Sequence, residues 1–132
     1  MAIEYKINMQ LRSEDVSTVF KSSGIKRPWD DLERIQRMIE NADVNISAWD
    51  GERLVGIARA ITDFSYCCYL SDLAVNKEYQ NKGIGTELVR HLQEHLGEEV
   101  SLLLLSAPTA MEYYPRIGFE KTEKAFLIPR LK

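Results

Sequence analysis

The sequence feature that most limits the fold is a pair of glycines between a predicted strand and a predicted helix. The apolar run YLSDLAV ends at Val75, the loop YQNKGIGT contains Gly83 and Gly85, and the helical run ELVRHLQEHL follows. Glycine adopts a positive φ at no steric cost, so the pair is explained most simply as a turn. The missing side chains would also let a ligand reach the backbone at a helix N-terminus, where unpaired N–H groups and the helix dipole favour an anion. Short glycine motifs often match by chance, so the spacing alone leaves both interpretations open.

Composition and charge limit the class of protein. The 132 residues are 45% hydrophobic and 28% charged, and the formal net charge is −3. These values are typical of a globular chain, and the length predicts one domain over residues 1–132. No positive field for nucleic acid is evident, and the longest apolar run, LLLL at 102–105, is far shorter than a membrane span. The N-terminus shows no basic segment followed by an apolar one, so we expect a cytoplasmic protein without nucleic-acid or membrane partners.

Periodicity, turn residues and capping patterns divide the chain into strands and helices. The predicted strands cover residues 3–9, 44–49, 53–61, about 67–75, the SLLLLS segment at 101–106, and one or two stretches between about 118 and 129. The predicted helices cover residues 13 to about 22, a segment after Pro28, the run after the glycines, and a short stretch from Thr109. We expect Ser13 to cap the first helix, Asp50-Gly51 to close a hairpin, and SLLLLS to be buried on both faces. The predicted fold class is α/β (α+β), with a mixed, mostly antiparallel central sheet of six to seven strands and helices on both faces.

Two motifs carry a resemblance to a known family. Residues 80–85, QNKGIG, resemble the Q/R-x-x-G-x-G/A signature of the GNAT superfamily of acetyl-CoA-dependent N-acetyltransferases. They follow LAV at 73–75, as the signature follows the central strand in that family. Further along, YYPRIGF at 113–119 resembles the family's F-Y-x-K-x-G-F pattern. The order of the predicted elements also agrees across nearly the whole chain, so the resemblance rests on two motifs in the right order.

The resemblance implies a GNAT-like acyl-CoA N-acyltransferase fold and an enzyme that needs acetyl-CoA as cosubstrate and no metal. The acetyl group would pass by direct attack to a primary amine of a small-molecule or peptide acceptor. Backbone groups of three strand residues would pair with the pantetheine arm, namely Leu73, Ala74 and Val75. Amides of the glycine loop would hold the pyrophosphate, namely those of Gln80, Asn81, Lys82, Gly83, Ile84, Gly85 and Thr86.

Tyr114 is the predicted catalytic residue, since it takes the place of the tyrosine that protonates the departing CoA thiolate in the family. Independently, a phenol with a pKa of about 10 is mostly protonated at neutral pH, which suits an acid for that step. The structural alternative is a buried tyrosine with a satisfied hydroxyl. Pro115 disfavours α geometry in the residue before it, so we expect Tyr114 at a kink or at the last helical residue. We expect the neighbouring Tyr113 to face elsewhere.

The sequence has no clear candidate for the general base that would deprotonate the amine. An alkylammonium with a pKa of about 10.4 is neutral in only about 0.04% of molecules at pH 7, so a proton must leave before attack. The family often places Glu or His on its central strand, where this chain has Tyr69 and Ser71. Asp63 and Asp72 are near in sequence, and Asp72 is predicted on the strand face opposite Ser71. Each carboxylate is explained more simply as a structural or substrate-orienting group than as the base.

Other patterns leave other functions open. HLQEH at 91–95 matches the H-x-x-E-H zinc-protease motif, although its histidines flank an apolar stripe and no acidic third ligand is specified. The adjacent cysteines at 67–68 point to opposite faces of a strand, which favours neither a disulfide nor a metal site. Arg27, Trp29 and Asp30 either select an acceptor or cap a helix and pack a loop. The runner-up function is a non-catalytic acyl-CoA-binding sensor or regulatory module, a metal hydrolase is third, and a homodimer is compatible with all three.

Overall fold

A computed structural model describes residues 2–132, and its centre is a five-stranded mixed sheet. The strands are β1 (Ile3–Ile7), β2 (Val44–Asp50), β3 (Arg53–Thr62), β4 (Cys67–Val75) and β5 (Ser101–Leu103). Their order in the sheet is their order in the chain. The first four strands pair antiparallel, and β5 pairs parallel with β4. The predicted α+β class with a mixed, mostly antiparallel sheet is confirmed.

Residues 2–132 contain four helices, with α1 and α2 on one face of the sheet and α3 on the other: α1 (Ser13–Ser23), α2 (Leu32–Glu40), α3 (Ile84–Leu96) and α4 (Tyr113–Arg116). α1 and α2 enclose one apolar cluster with the sheet, which includes Phe20 and Ile57. α3 encloses a second cluster, which includes Leu88. Short 3₁₀ turns at Lys77–Tyr79 and Pro108–Ala110 precede α3 and α4. No helix of the described residues has the length and apolar composition that a membrane span requires.

Glycines end elements where the sequence predicts that they should. Gly24 after α1 has φ +83°, and Gly51 in the β2–β3 hairpin has φ +59°. Both values lie in the left-handed region, where glycine carries no Cβ penalty. The start of α1 differs from the prediction, because Arg12 is the N-cap and Ser13 is already helical. The Ser13 hydroxyl donates to the Glu14 carboxylate at 2.8 Å instead of capping the helix, so that prediction is wrong.

α3 packs closely on the centre of the sheet. Its predicted apolar stripe is buried at Ile84, Leu88 and Leu92. Gly56 in β3 gives the helix room, since a Cβ built there would lie 3.2 Å from Leu88 Cδ1 and 3.3 Å from Ile84 Cγ2. This contact fixes the N-terminus of α3 beside the end of β4.

The prediction of six to seven strands is wrong for the described residues, because the segment 118–129 forms no strand. Its largest side chains stay outside the core, with Phe126 97% and Ile128 96% exposed. A further strand would need an edge to pair with, and β5 is only 3 residues long. Pro129 also lacks an N–H to donate to a ladder.

β5 is an edge strand, so the prediction that SLLLLS is buried on both faces is also wrong. It has one neighbour, β4, and Leu103 is 44% exposed. Periodicity alone does not distinguish a short apolar run at a sheet edge from one at the sheet centre. The helix predicted from Thr109 begins instead at Tyr113, after the 3₁₀ turn, and no described side chain caps it.

A β-bulge interrupts the pairing of β3 with β4. Arg59 pairs with Asp72 and Ala60 with Leu70, so Ser71 is the extra residue. A bulge breaks the alternation of side chains along a strand. The Arg59 guanidinium consequently contacts both the Asp72 carboxylate and, at 3.0 Å, the Ser71 hydroxyl. The prediction that Asp72 and Ser71 lie on opposite faces is therefore wrong.

Candidate functional site

β4 and β5 separate after three paired positions and leave an opening between them. The pairing runs from Cys67 with Ser101 to Tyr69 with Leu103. Within the described residues, no strand pairs with the β5-facing edge of residues 73–75. Main-chain groups along such an edge are available to an extended ligand.

Side chains hold the loop between β4 and α3 in a fixed conformation. Asn76 is buried and caps the 3₁₀ turn through its side chain. The Tyr79 hydroxyl donates to the Asp50 carboxylate at 2.6 Å. Gln80 Nε2 donates to the Val75 carbonyl at 3.0 Å. The chain therefore enters α3 with defined geometry.

The two glycines of the loop differ in conformation. Gly83 is the N-cap of α3 with φ +83°, so the turn interpretation applies to it. Gly85 lies in the first turn of α3, where a Cβ would be 2.7 Å from the Tyr113 hydroxyl. The first N–H groups of a helix have no intrahelical partner. In α3 no side chain of residues 2–132 caps them, so they are available to a ligand. A helix N-terminus of this kind favours an anion.

A groove of about 470 Å³ lies between the end of β4, the N-terminus of α3 and α4. The predicted cofactor residues that line it are Leu73, Val75, Gln80, Asn81, Gly83, Ile84, Gly85 and Thr86. Two predicted residues direct their side chains away from the groove, although the backbone groups that the prediction concerns lie between residues that line it. Ala74 is 3% exposed and packs in the cluster under α1 and α2, because its side chain points to the other face of β4. Lys82 extends over the Tyr79 ring, with Nζ 5.8 Å from the ring centroid. The groove thus brings most of the predicted cofactor residues together with Tyr114.

The prediction that Tyr113 faces elsewhere is wrong, because it lines the same groove as Tyr114. Its hydroxyl lies 3.5 Å from Thr86 Oγ1, beside the N-terminus of α3. The two tyrosine rings meet edge to face with centroids 5.2 Å apart. The doubled tyrosine in the sequence is a signal that could have indicated this second aromatic wall.

Tyr114 is the second residue of α4, and Pro115 is the third. The prediction of a kink or a last helical residue is wrong, since proline needs no N–H partner in the first helical turn. The Tyr114 ring is half-buried and packs edge to face on Phe119, with centroids 5.6 Å apart. Burial raises the pKa of the Tyr114 phenol above its ordinary value, and Tyr113 adds to the rise while Arg27 opposes it. Tyr114 is therefore a protonated group at neutral pH.

Asp63, one predicted base candidate, has a structural role. Its Oδ1 accepts the N–H groups of Ser65, Tyr66 and Cys67 at 2.9, 2.8 and 3.1 Å. These three bonds lower the pKa of the Asp63 carboxyl. The residue therefore shapes the β3–β4 connection and is a weak base.

Asp72, the other candidate, is fully buried between two guanidinium groups. Arg27 Nε contacts one carboxylate oxygen and Arg59 Nε the other. With both oxygens engaged and no exposed surface, Asp72 does not have the access that a base requires. Arg27 also donates to the Ser71 carbonyl at 2.6 Å, so it ties the α1–α2 loop to β4.

The histidines of the zinc-protease motif are engaged with aromatic rings. His91 stacks on Tyr5 with centroids 4.7 Å apart, and His95 meets Phe64 edge to face at 6.2 Å. In the described part of the chain, no group of three or more His, Cys, Asp or Glu side chains is arranged to hold a metal ion. The adjacent cysteines are free thiols, with Cys67 exposed and Cys68 buried, as the strand alternation predicts.

The fold is of the α+β class, and its groove lies where the end of β4, the N-terminus of α3 and α4 meet. The chain belongs to the GNAT acetyltransferase family, whose domain model matches residues 12–127. The family resemblance of the glycine and tyrosine motifs is thereby confirmed.

The curated relatives are longer than this chain. An uncharacterized N-acetyltransferase, ycf52, from Pyropia yezoensis is 28% identical over 103 residues, which are 74% of this chain and 58% of that protein. Its counterpart from Gracilaria tenuistipitata var. liui is 26% identical over 119 residues, which are 85% of this chain and 64% of that protein. This chain therefore spans about six tenths of the length of these relatives.

Solved structures share the fold over nearly the whole chain. A protein of unknown function and probable acetyltransferase from meticillin-resistant Staphylococcus aureus has a TM-score of 0.84 at 23% identity, covering 99% of each chain. An aminoglycoside N-acetyltransferase in complex with CoA has a TM-score of 0.74 at 15% identity, covering 99% of this chain and 96% of that one. At these identities the likeness concerns the fold.

Proposed function

We propose that this protein transfers the acetyl group of acetyl-CoA to a primary amine of its acceptor by direct attack. The observation that carries the proposal is the groove in which the N-terminus of α3, the free edge of β4 and Tyr114 meet. Membership of the GNAT family supports the same reaction class.

The residues of the groove fit acetyl-CoA. The N–H groups at the start of α3 suit a pyrophosphate, and Gly85 leaves the space that a side chain would fill. The edge of β4 from residue 73 to 75 suits the amides of a pantetheine arm, which can pair with it as a strand does. When bound, acetyl-CoA supplies an activated thioester carbon and a thiolate leaving group.

Tyr114 supplies a proton in the proposed reaction. Its raised pKa keeps the phenol protonated at neutral pH. As the amine nitrogen bonds to the thioester carbon and the C–S bond breaks, the proton of Tyr114 Oη would pass to the departing sulfur, and the amine proton would pass to water, from which the phenol regains a proton. Main-chain N–H groups at the β4 edge would donate to the thioester carbonyl oxygen and stabilise the charge that develops on it. The ring contact with Phe119 holds the phenol in place.

A non-catalytic acyl-CoA-binding module is the second candidate, and one observation favours it. Within the described residues, no Asp, Glu or His side chain lines the groove. Asp72 is held by two guanidinium groups, so the sequence-predicted bases do not supply the missing group. Such a module would bind acetyl-CoA without releasing CoA.

An amine panel that follows free thiol release from acetyl-CoA separates the two candidates. The panel includes polyamines, amino acids, aminoglycosides and peptides, and we expect amine-dependent release of CoA. Calorimetric binding of CoA without release by any amine would establish the binding module instead. Absence of both binding and release would refute the proposed function.

A further inference from the structure

A second cavity, of about 390 Å³, lies where α2, the α1–α2 loop, β3 and β4 meet. Six of its lining residues are cationic, namely Lys26, Arg27, Arg34, Arg59, Arg130 and Lys132, and none of the described lining residues is acidic. We propose that this cationic cavity binds the acceptor, and that the acceptor is a small amine that carries a phosphate or carboxylate group. The inference rests on the proposed function, because it names the class of amine that the enzyme would acetylate.

The cavity has a large excess of positive charge. Asp72 is fully buried beneath the cavity, where its carboxylate contacts Arg27 and Arg59. The Asp72 carboxylate offsets one of the six cationic side chains. Like charges at short range repel one another, and an anion bound among them relieves that repulsion.

Two of the guanidinium groups are fixed in position before any ligand binds. The Arg59 side chain is 10% exposed. Its Nη1 donates to the Met38 carbonyl at 3.3 Å and its Nη2 to the Ser71 hydroxyl at 3.0 Å. Arg27 Nη2 donates to the Ser71 carbonyl at 2.6 Å. Ordered planar guanidinium groups are well suited to phosphate and carboxylate.

Arg34 provides donors from the side of α2. It is half-buried, and its Nη1 donates to the main-chain oxygen of Lys132 at 3.1 Å. A guanidinium carries five N–H donors, so this contact leaves others for a ligand. Arg34 is therefore the residue whose replacement tests the site with the least disturbance of the buried Asp72 network.

The cationic cavity adjoins the proposed acetyl-transfer groove along β4. Tyr69 and Ser71 line the cavity, and Leu73 and Val75 line the groove. An acceptor whose anionic group lies among the arginines can thus present its amine at the β4–β5 opening beside Tyr114.

Size and charge both restrict the acceptor. Pockets of about 300–1,000 Å³ are typical of small-molecule sites, and this cavity lies at the lower end of that range. A polycation such as an aminoglycoside or a polyamine would bring several positive charges next to the arginines and would be disfavoured. An anionic amine gains the attraction that the polycation lacks.

Matched pairs of amines test the inference. Phosphoethanolamine is compared with ethanolamine, and β-alanine with propylamine, by thiol release from acetyl-CoA. We expect kcat/KM to be at least about tenfold higher for the anionic member of each pair, the factor that corresponds to one hydrogen bond to a charged group. The preference should shrink as ionic strength rises, because salt screens exposed charges.

A matched pair of variants tests the site itself. Arg34→Gln removes a cation of the cavity, and Arg37→Gln removes an exposed cation on the same helix that does not line it. Inorganic phosphate is titrated calorimetrically into each protein with CoA present at saturation, so that the start of α3 is already occupied. We expect Arg34→Gln to weaken phosphate binding and to raise KM for phosphoethanolamine about tenfold, while Arg37→Gln leaves both values unchanged.

The outcomes separate this inference from the proposed function. The inference is overturned if the neutral and anionic amines of each pair have equal kcat/KM, and the transferase function then stays in place. It is also overturned if Arg34→Gln has the same phosphate affinity and the same KM as Arg37→Gln. If no amine is acetylated, the phosphate titration decides. Binding lost only in Arg34→Gln supports the anion site although the transferase function fails, and no phosphate binding in wild type overturns the inference as well.

Discussion

At the scale of single residues, Tyr114 is the side chain on which the proposed chemistry depends. We expect Tyr114→Phe to lower kcat while acetyl-CoA affinity changes little. The ring keeps its contact with Phe119, and the lost hydroxyl costs only about 1 kcal/mol of stability. General acid catalysis is commonly worth about 10²–10⁴-fold, and a thiolate already leaves readily, so we expect a loss of about 10²-fold or less. Steady-state thiol release with the best acceptor measures the effect.

The structure changes the control for that experiment. Tyr113 lines the groove and is unsuitable, whereas Tyr66 is 78% exposed and does not line it. Tyr66→Phe should therefore keep full turnover. Full turnover of Tyr114→Phe, when chemistry limits the rate, would show that Tyr114 is not the acid.

The pH dependence of kcat follows from the raised pKa of Tyr114. Raising the pKa of an acid extends its protonated form to higher pH. Burial acts in this direction here, so Tyr114 stays mostly protonated below its ordinary pKa of about 10. We expect the Tyr114-dependent part of kcat to be level from pH 7 to about pH 9 and to fall only at higher pH. A Tyr114-dependent fall that is centred near neutral pH, absent from Tyr114→Phe, would contradict the burial argument.

Gly83 and Gly85 have different roles: Gly83 serves the turn, and Gly85 leaves space for a ligand. Gly83 has the left-handed φ of a turn, whereas Gly85 is helical and lacks a Cβ where the groove is narrow. We expect Gly85→Val to weaken CoA binding by tenfold or more, about 1.4 kcal/mol, because its side chain would displace the Tyr113 hydroxyl and enter the ligand space. The melting temperature should change much less. Calorimetry with CoA, beside a thermal melt, measures both quantities, and a large fall in stability with unchanged affinity would restore the turn interpretation for Gly85.

The residue scale also shows what local sequence patterns do and do not reveal. The two motifs indicated most of the residues that line the groove, because a strand, a glycine loop and a helix place them by local geometry. The bulge at Ser71 left no such signal, since it depends on how β3 and β4 pair. The contacts of Asp72 with two arginines were not predicted for the same reason, although a structural role for this carboxylate was one of the interpretations that the sequence offered.

At the scale of elements, Asp72 joins the α1–α2 loop, β3 and β4. Its carboxylate is fully buried and contacts Arg27 and Arg59. We expect Asp72→Asn to lower the free energy of unfolding by about 3 kcal/mol, since it leaves two guanidinium groups without their partner charge. Urea denaturation followed by circular dichroism measures the change.

An exposed ion pair provides the matched control for Asp72. Arg12 and Glu14 lie 2.8 Å apart with 73% and 52% of their side chains exposed. Exposed pairs of this kind contribute little, so Glu14→Gln should change the free energy of unfolding by less than about 1 kcal/mol. Equal effects of Asp72→Asn and Glu14→Gln would mean that the buried network does not hold these elements together.

The elements themselves were predictable where one local signal dominates. The β2–β3 hairpin, the end of α1 at Gly24 and the buried stripe of α3 follow from turn chemistry and periodicity. The burial of β5 and the strands expected in the segment 118–129 were mispredicted, because both depend on which neighbours are present at the sheet edge. The sequence of an apolar run does not show which neighbours the run will have in the fold.

At the scale of the whole molecule, cationic side chains are concentrated in the cavity on one side of the β4–β5 opening. Formal net charge is −3, yet the cavity on one side collects six cationic side chains. Net charge therefore gave no indication of it, and its residues come from the α1–α2 loop, α2, β3 and the final segment of the chain. Only the folded chain brings Lys26 and Arg130 to one site.

The groove at the N-terminus of α3 makes a prediction for the stability of the whole domain. A ligand that binds only the native state stabilises it by mass action, which amounts to about 2.7 kcal/mol at a concentration 100 times its Kd. We therefore expect acetyl-CoA to raise the melting temperature by several degrees, and the rise should grow with the logarithm of its concentration. Gly85→Val should show a much smaller rise at the same concentration, while Arg34→Gln, which alters the cationic cavity, should match wild type. A wild-type protein that is folded but shows no shift in millimolar acetyl-CoA would remove the basis for both the transferase and the acyl-CoA-binding interpretations.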